Sequence, residues 1–272
     1  MKSPLARFSQ VDSDPVLAVN DYDDVAPAYS KAMGHDYSAI FLEGIGPTLA
    51  PLRWHDRGVR YVDLACGSGD IACALAKRFG IRGLGFDRSE RQVASAKARA
   101  AAEGLSIAFK VGDVLEAELP HSVDLITMTL DAINHLPNAE SWRRLFDRVF
   151  QSLRPSGIFI FDMNTEERLL EDWRYPEVVV KESITYLQCG LHFERSENRA
   201  LARILMQIFA ASNGAWTRYQ ALVEQIAFPI PSVFQMLRET GFTEVRTLTE
   251  FDSLRQGHIF MKNREFIVAS RT

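Results

Sequence analysis

Three aspartates, Asp63, Asp87 and Asp113, each stand at the end of a short apolar run, and Gly67 and Gly69 follow the first of them. Residues 61–64 read as a strand, residues 65–69 as a turn of small residues, and residues 71–79 as an amphipathic helix. A glycine turn between strand and helix lets a ligand approach the backbone, and the unpaired amides of the helix start point at it. Dinucleotide sites place G-x-G-x-x-G over a pyrophosphate. Here Ala65, Gly67 and Gly69 are spaced two apart, with Asp63 at the strand end. An acid there repels a pyrophosphate and attracts an ammonium group, which favours a ligand with a cationic amino-acid end and an adenosine end. Asp87 closes the run 81–87, about 20 residues beyond the turn, where an acid accepts from ribose hydroxyls.

The run Val62-Asp63-Leu64-Ala65-Cys66-Gly67-Ser68-Gly69 resembles motif I of the class I S-adenosylmethionine (SAM) methyltransferases. That motif usually has glycine where this chain has Ala65, a change tolerated at negative φ. The resemblance implies SAM as cofactor, with contacts from Asp63, Ala65, Gly67 and Gly69, and from Asp87 and Arg88 after the second strand. In such enzymes the position of Asp113 bonds the adenine amino group, and the backbone of the next residue, Val114, touches the ring. Leu130, at the end of the fourth strand, is expected beside the donor as well. A nicotinamide-dependent dehydrogenase would need G-x-x-G after Gly67, but the chain reads Gly67-Ser68-Gly69-Asp70-Ile71.

Tyr22, Val25, Ala26 and Tyr29 recur at helical spacing, and Pro27 calls for a break or a first-turn position. The segment is similar to the Y-D-x-x-A-x-x-Y-D element that folds over SAM as a lid, with Ser30 in place of the final acid. Tyr22 and Tyr29 are therefore expected at the cofactor, the alternative being tyrosines that only pack on the domain. The fourth strand, residues 123–130, emits Asp131, Asn134 and His135 into the crevice beyond the strand ends, where methyl group and acceptor should meet. His135 titrates near neutrality and is a candidate base. Alternatively, His135 and Asn134 cap the helix 139–153. Asp131, His135 and Tyr22 are the catalytic candidates. The loop lacks the D/N-P-P-Y/F/W signature of enzymes that methylate adenine, cytosine or glutamine.

The elements that must position these groups form an α/β chain: a doubly wound, seven-stranded Rossmann-like sheet. Ser89 and Gln92 form a capping box for the helix 90–103. A helix over 35–54 is expected to be interrupted by Gly44, Gly46 and Pro47. Strands follow at 107–111 and 158–162, the latter entered through Leu153-Arg154-Pro155-Ser156-Gly157, a further landmark of the family. Residues 177–228 then alternate like strands, with Val178, Val180, Ile184 and Tyr186, and turns at 196–199 and 212–215. This reads as an antiparallel β insertion after the fifth strand, roofing the pocket or serving a dimer. The helix 229–241 and a hairpin of 242–251 with 265–270 complete the sheet. The expected division is an N-terminal helical lid (1–58), a SAM-binding core (59–164), the inserted subdomain (165–228) and core completion (229–272).

With 272 residues, 47% hydrophobic and 24% charged, the composition is that of a globular domain. A net charge of −4 offers no basic excess for nucleic acid. No apolar run reaches the ~18 residues of a membrane span, and the N-terminus lacks an apolar signal core. Cys66, Cys73 and Cys189 show no C-x-x-C spacing and suit free thiols in a reducing cytoplasm, without metal. The expected function is methyl transfer to a small molecule, an amine before a hydroxyl or carbon acceptor, by a monomer or homodimer. A non-catalytic SAM-binding protein is the alternative.

Overall fold

The computed structural model describes residues 18–49, 58–254 and 258–271. The loosely ordered start expected up to residue 17, the helix end at 50–54, the turn at 55–57 and the middle of the expected hairpin loop lie outside them. Two helices come first, α1 (Ala26–Tyr29) and α2 (His35–Leu49), joined by a wide turn over Ser30–Gly34. Strand and helix then alternate through β1 (Arg60–Leu64), α3 (Asp70–Phe79), β2 (Arg82–Asp87), α4 (Glu90–Ala102) and β3 (Ile107–Val111). Next come β4 (Val123–Met128), α5 (Ala139–Ser152), β5 (Leu153–Asn164) and the short α6 (Glu166–Leu170). Four further strands follow, β6 (Glu177–Lys181), β7 (Ile184–Ser196), β8 (Arg199–Ser212) and β9 (Ala215–Ala227). The chain ends with α7 (Ile230–Thr240), β10 (Glu244–Thr247) and β11 (Arg264–Ser270).

The main sheet has seven strands in the order β10-β11-β5-β4-β1-β2-β3. β1 to β5 pair in parallel, and β11 lies antiparallel between β5 and β10. The winding direction reverses between β1 and β4, so the crevice opens there, at the carboxyl ends of the strands. Alternation along the strands feeds two cores. Leu125 and Ile160 face Phe41, Leu75 and Ala96 of α2 to α4. Val62, Phe159 and Phe161 face Trp142, Phe146 and Leu237 of α5 and α7. This is the doubly wound α/β fold expected, with its antiparallel insertion.

The inserted sheet β6-β7-β8-β9 buries Tyr186, Ile204, Met206 and Val223 against Val25, Ala28 and Met33 of the N-terminal segment. In β6, however, Val178 and Val180 face solvent and Glu177 faces in. The buried Arg168 explains the inversion, because its guanidinium donates to both Glu177 oxygens at 2.5 and 2.8 Å. Gly44, Gly46 and Pro47 do not interrupt α2. Gly44 is there for close approach: a Cβ would stand 2.4 Å from the Phe251 ring. Pro47 stands inside the helix, where its ring nitrogen has no hydrogen to donate to the carbonyl four residues back. β10 is shorter than expected, because the chain turns at Thr249–Phe251 to stack Phe251 on Phe266 with centroids 3.6 Å apart. No described helix is long and apolar enough to cross a membrane.

Candidate functional site

The turn after β1 is built on left-handed backbone. Ala65, Gly67 and Gly69 have φ of 52°, 51° and 75°. Ala65 thus lacks the negative φ at which the change from glycine is tolerated, and it adopts the glycine conformation. A Cβ at Gly69 would press on the Phe109 ring at 2.8 Å, whereas one at Gly67 would meet no protein atom within 4 Å. Gly67 therefore borders open space, the cleft itself. Asp87 braces this turn from β2, accepting from the backbone N–H of Gly67 at 2.8 Å and of Ser89 at 2.9 Å. Burial pushes its pKa up, and these two donors oppose the shift. Each carboxylate oxygen keeps acceptor capacity for a ligand.

Asp63 differs from expectation: it does not line the cleft. Val62 and Leu64 take the α5 side of the sheet, so the pleat turns Asp63 to the opposite face, where it is buried. The Thr127 hydroxyl donates to Oδ1 at 2.6 Å and also lies 2.6 Å from the Tyr61 hydroxyl, while Oδ2 has no partner. Burial is the main force raising the Asp63 pKa to about 7, with Asp87 and Asp70 adding to it.

The cleft holds about 1050 Å³ of empty space, its open mouth included. Ala65, Gly67, Asp87, Arg88, Asp113 and Val114 line it, as do Leu130, Tyr22, Tyr29 and His135; Gly69 supports the turn from behind. Asp113 is exposed there, with Oδ1 accepting from Leu115 N at 2.7 Å. Asp70, Ser89 and Gln92 also line the cleft, which sequence reasoning missed. The S-x-x-Q signal was available, but only half of the capping box forms. Gln92 N donates to Ser89 Oγ at 3.1 Å, while Ser89 N goes to Asp87. The buried Gln92 Oε1 is left without a hydrogen-bond partner.

A strap crosses the mouth. Asn20 N donates to Leu222 O at 2.8 Å, and the Asn20 amide pairs with both backbone groups of Glu224 on β9. On the other bank Arg88 donates to Asn20 O, and the Ser89 hydroxyl donates to Asp23. Pro27 sits in the first turn of α1, and Ser30 ends the helix. The Ser30 hydroxyl donates to Asp70 at 2.8 Å and accepts from Arg99 at 2.8 Å. Tyr22 and Tyr29 hang beneath, edge to face at 5.5 Å.

At the far end His135 Nε2 lies 3.2 Å from the Tyr22 hydroxyl and 3.3 Å from Gln225 Nε2. Its buried Nδ1 makes no hydrogen bond of normal geometry, although the Glu224 carbonyl exerts a small upward pull on the pKa. Burial dominates and lowers the pKa to about 4, so the imidazole is neutral at pH 7. Neither His135 nor Asn134 caps α5; Asn138 does, accepting from Ser141 N at 2.9 Å. Asn134 instead donates to Asn164 O and Ile226 O and accepts from Asn164 N, tying the loop to β5 and β9. Asp131 does not line the cleft either. Its two oxygens accept from Arg264 and from Gln225. Among the described residues no cluster of His, Cys, Asp and Glu is arranged to hold a metal ion.

Comparison with known proteins agrees with this geometry. Residues 62–157 match the family model described as a methyltransferase domain. A methyltransferase of Geobacillus sp. (strain WCH70) is 28% identical over 196 residues, covering 71% of this chain and 77% of that one. An S-adenosylmethionine-dependent methyltransferase from Clostridium acetobutylicum superposes with a TM-score of 0.68 at 19% identity, covering 92% of this chain and 98% of that one. An aminopentose methyltransferase from Micromonospora echinaspora, solved with SAM bound, gives 0.65 at 19% identity, covering 94% and 100%. These structures share the fold. The chain is a class I SAM-dependent methyltransferase. Its cofactor is SAM.

Proposed function

We propose that the protein methylates an amine nitrogen of a small molecule. The observation that carries this reading is the neutral, half-buried His135 imidazole held by Tyr22 at the end of the cleft where the acceptor would lie. Bound SAM supplies a methyl group already made electrophilic by its sulfonium. An acceptor with its own lone pair then needs alignment and exclusion of water, and no strong base. A hydroxyl or carbon acceptor that must lose a proton needs a base with a pKa near the working pH, and His135, held near 4, is too weak for that. Its role in this reading is to orient the amine through a hydrogen bond, with Tyr22 fixing the ring. The aminopentose methyltransferase among the structural neighbours acts on a substrate that carries such a nitrogen.

The cleft suits the donor: the wall at Gly67 is open to a ligand, and the Asp87 carboxylate retains lone pairs for ribose hydroxyls. Ala65, Gly67 and Gly69 would shape the seat, Arg88, Asp113 and Val114 would lie along the adenosine side, and Leu130, Tyr22 and Tyr29 would enclose the reacting end. Asp63 would act from beneath the turn, and Asp131 through its neighbours. In this reading the lid falls within residues 1–58, the donor core is 59–164, the inserted acceptor roof is 165–228, and 229–272 completes the sheet. The free thiols suit a cytoplasmic setting, as a monomer or homodimer. The test is transfer of labelled methyl from SAM to panels of small amines, phenols and carbon acids. Turnover confined to amines, with no rate limb from an enzyme base between pH 6 and 8, is expected. Turnover only of phenols or carbon acids would overturn the amine assignment.

A further inference from the structure

We infer that Arg264 and Asp162 are positioning residues of the donor site, clasping a strained turn, Leu130–Asp131, whose first residue lines the cleft. The inference rests on the donor site described above. Leu130 and Asp131 are consecutive non-glycine residues with φ of 56° and 51°. Side chains disfavour this left-handed region, so such a pair persists only where the surroundings impose it. Asp162, fully buried on β5, imposes it directly. Its Oδ1 accepts from Leu130 N at 2.7 Å and its Oδ2 from Asp131 N at 2.9 Å.

A buried carboxylate needs compensation, and two groups supply it. The Tyr37 hydroxyl donates to Asp162 Oδ1 at 2.5 Å. Arg264, reaching across from β11, donates from one nitrogen to Asp162, from a second to the Asp131 side chain, and from Nε to Phe260 O at 2.8 Å. Its guanidinium also lies over the Tyr37 ring, 5.7 Å from the centroid. One planar cation thus grips the backbone clamp and the side chain of the residue being clamped. An ammonium group cannot span that fork. From Asp131 the contacts continue to Gln225 and then His135. Arg264 itself does not line the cleft, whereas Leu130, Ala132 and His135 do. Its influence on the ligand therefore passes through the turn.

The experiment uses the full-length protein with S-adenosylhomocysteine by calorimetry, and nitrogen-labelled histidine NMR without ligand. Arg264→Lys should weaken S-adenosylhomocysteine at least tenfold and move the His135 ring resonances. Asp131→Asn and Asp131→Val both remove the charge, but asparagine tolerates left-handed backbone and valine does not. Asp131→Val should therefore weaken binding at least tenfold more than Asp131→Asn, and should disturb His135 more. Folded Arg264→Lys protein binding within twofold of the parent, or equal losses in the two Asp131 variants, would overturn the inference. If Arg264→Lys does not fold, the Asp131 pair decides alone. A parent that binds no S-adenosylhomocysteine would count against the donor site, and the NMR comparison would still decide whether the clasp sets the turn.

Discussion

The hydroxyl of Tyr22 lies 3.2 Å from Nε2 of His135, and the two rings meet edge to face with centroids 5.5 Å apart. The first residue belongs to the N-terminal strap and the second to the loop after β4, so this one contact joins the cover of the cleft to its far wall. Asn20 and Arg88 fasten the strap on either bank, and Asn134 fixes the loop to β5 and β9. Both partners are therefore held by their own neighbours, and the imidazole is half-buried between them.

That burial has a pH consequence. His135 is lowered from 6.5 to about 4 by burial, so between those values the unfolded chain binds the proton and the folded chain does not. Stability contributed by the neutral ring is present above about pH 6.5 and is lost as pH falls toward 4. The gap is worth at most about 3 kcal/mol, and less in practice because the ring is partly accessible from the cleft. Urea unfolding of the parent and of His135→Gln at pH 5 and 7.5 reads this out. The variant should show the smaller loss on acidification; parallel losses would show that another group titrates.

Asp63 works in the opposite direction. Burial raises its pKa from 3.8 to about 7, so the folded state holds a proton that the unfolded state has released. Stability therefore declines as pH rises from about 4 to 7 and levels off above. Asp63→Asn keeps an acceptor for the Thr127 hydroxyl and cannot ionise. Its stability relative to the parent should rise by on the order of 1–3 kcal/mol between pH 5 and 8. Chemical denaturation at those two values measures the difference, and a pH-independent difference would mean that Asp63 does not titrate in this range.

Much of the cleft wall proposed to hold the donor was legible in the sequence, because it is assembled locally. The glycine turn, Asp87 and Asp113 sit at the ends of consecutive strands, and their spacing alone brings them to one edge of the sheet. Asp63 was misplaced by one step of the pleat, since a residue at a strand end does not declare its face. The end of the cleft proposed for the acceptor is built from pairs distant in sequence. Nothing near Asn134 says that its amide binds Asn164 and Ile226, or that Arg264 meets Asp131, because those contacts depend on β9 and β11 lying beside the loop. Val178 and Val180 mislead for a similar reason: the buried Arg168–Glu177 pair sets the face of β6.

Ala65 holds left-handed backbone at φ 52°. That conformation costs an alanine about 1–2 kcal/mol, against about 0.5–1 kcal/mol for the greater freedom glycine loses on folding. Ala65→Gly should therefore stabilise the protein by ~0.5–1 kcal/mol, seen as a higher urea midpoint with an unchanged slope. A lower midpoint would mean that the alanine methyl contributes packing worth more than the backbone strain.

Gly67 and Gly69 share the left-handed conformation but not the surroundings, so the same substitution should separate binding from folding. At Gly69 the new methyl meets the Phe109 ring at 2.8 Å and Ala96 Cβ at 3.0 Å, on top of a φ of 75°. Overpacking of this kind costs about 1–3 kcal/mol, and the backbone adds about 1–2 kcal/mol. Gly69→Ala should therefore lower the melting temperature markedly. At Gly67 no protein atom lies within 4 Å of the added methyl, so only the backbone term applies and the protein should fold. The methyl instead points into the cleft, where the proposed donor site lies. Calorimetry should show S-adenosylhomocysteine bound at least about tenfold more weakly by Gly67→Ala, roughly one lost hydrogen-bond contact. Full affinity in Gly67→Ala would place the ligand away from this turn, and a Gly69→Ala protein as stable as the parent would remove the packing argument.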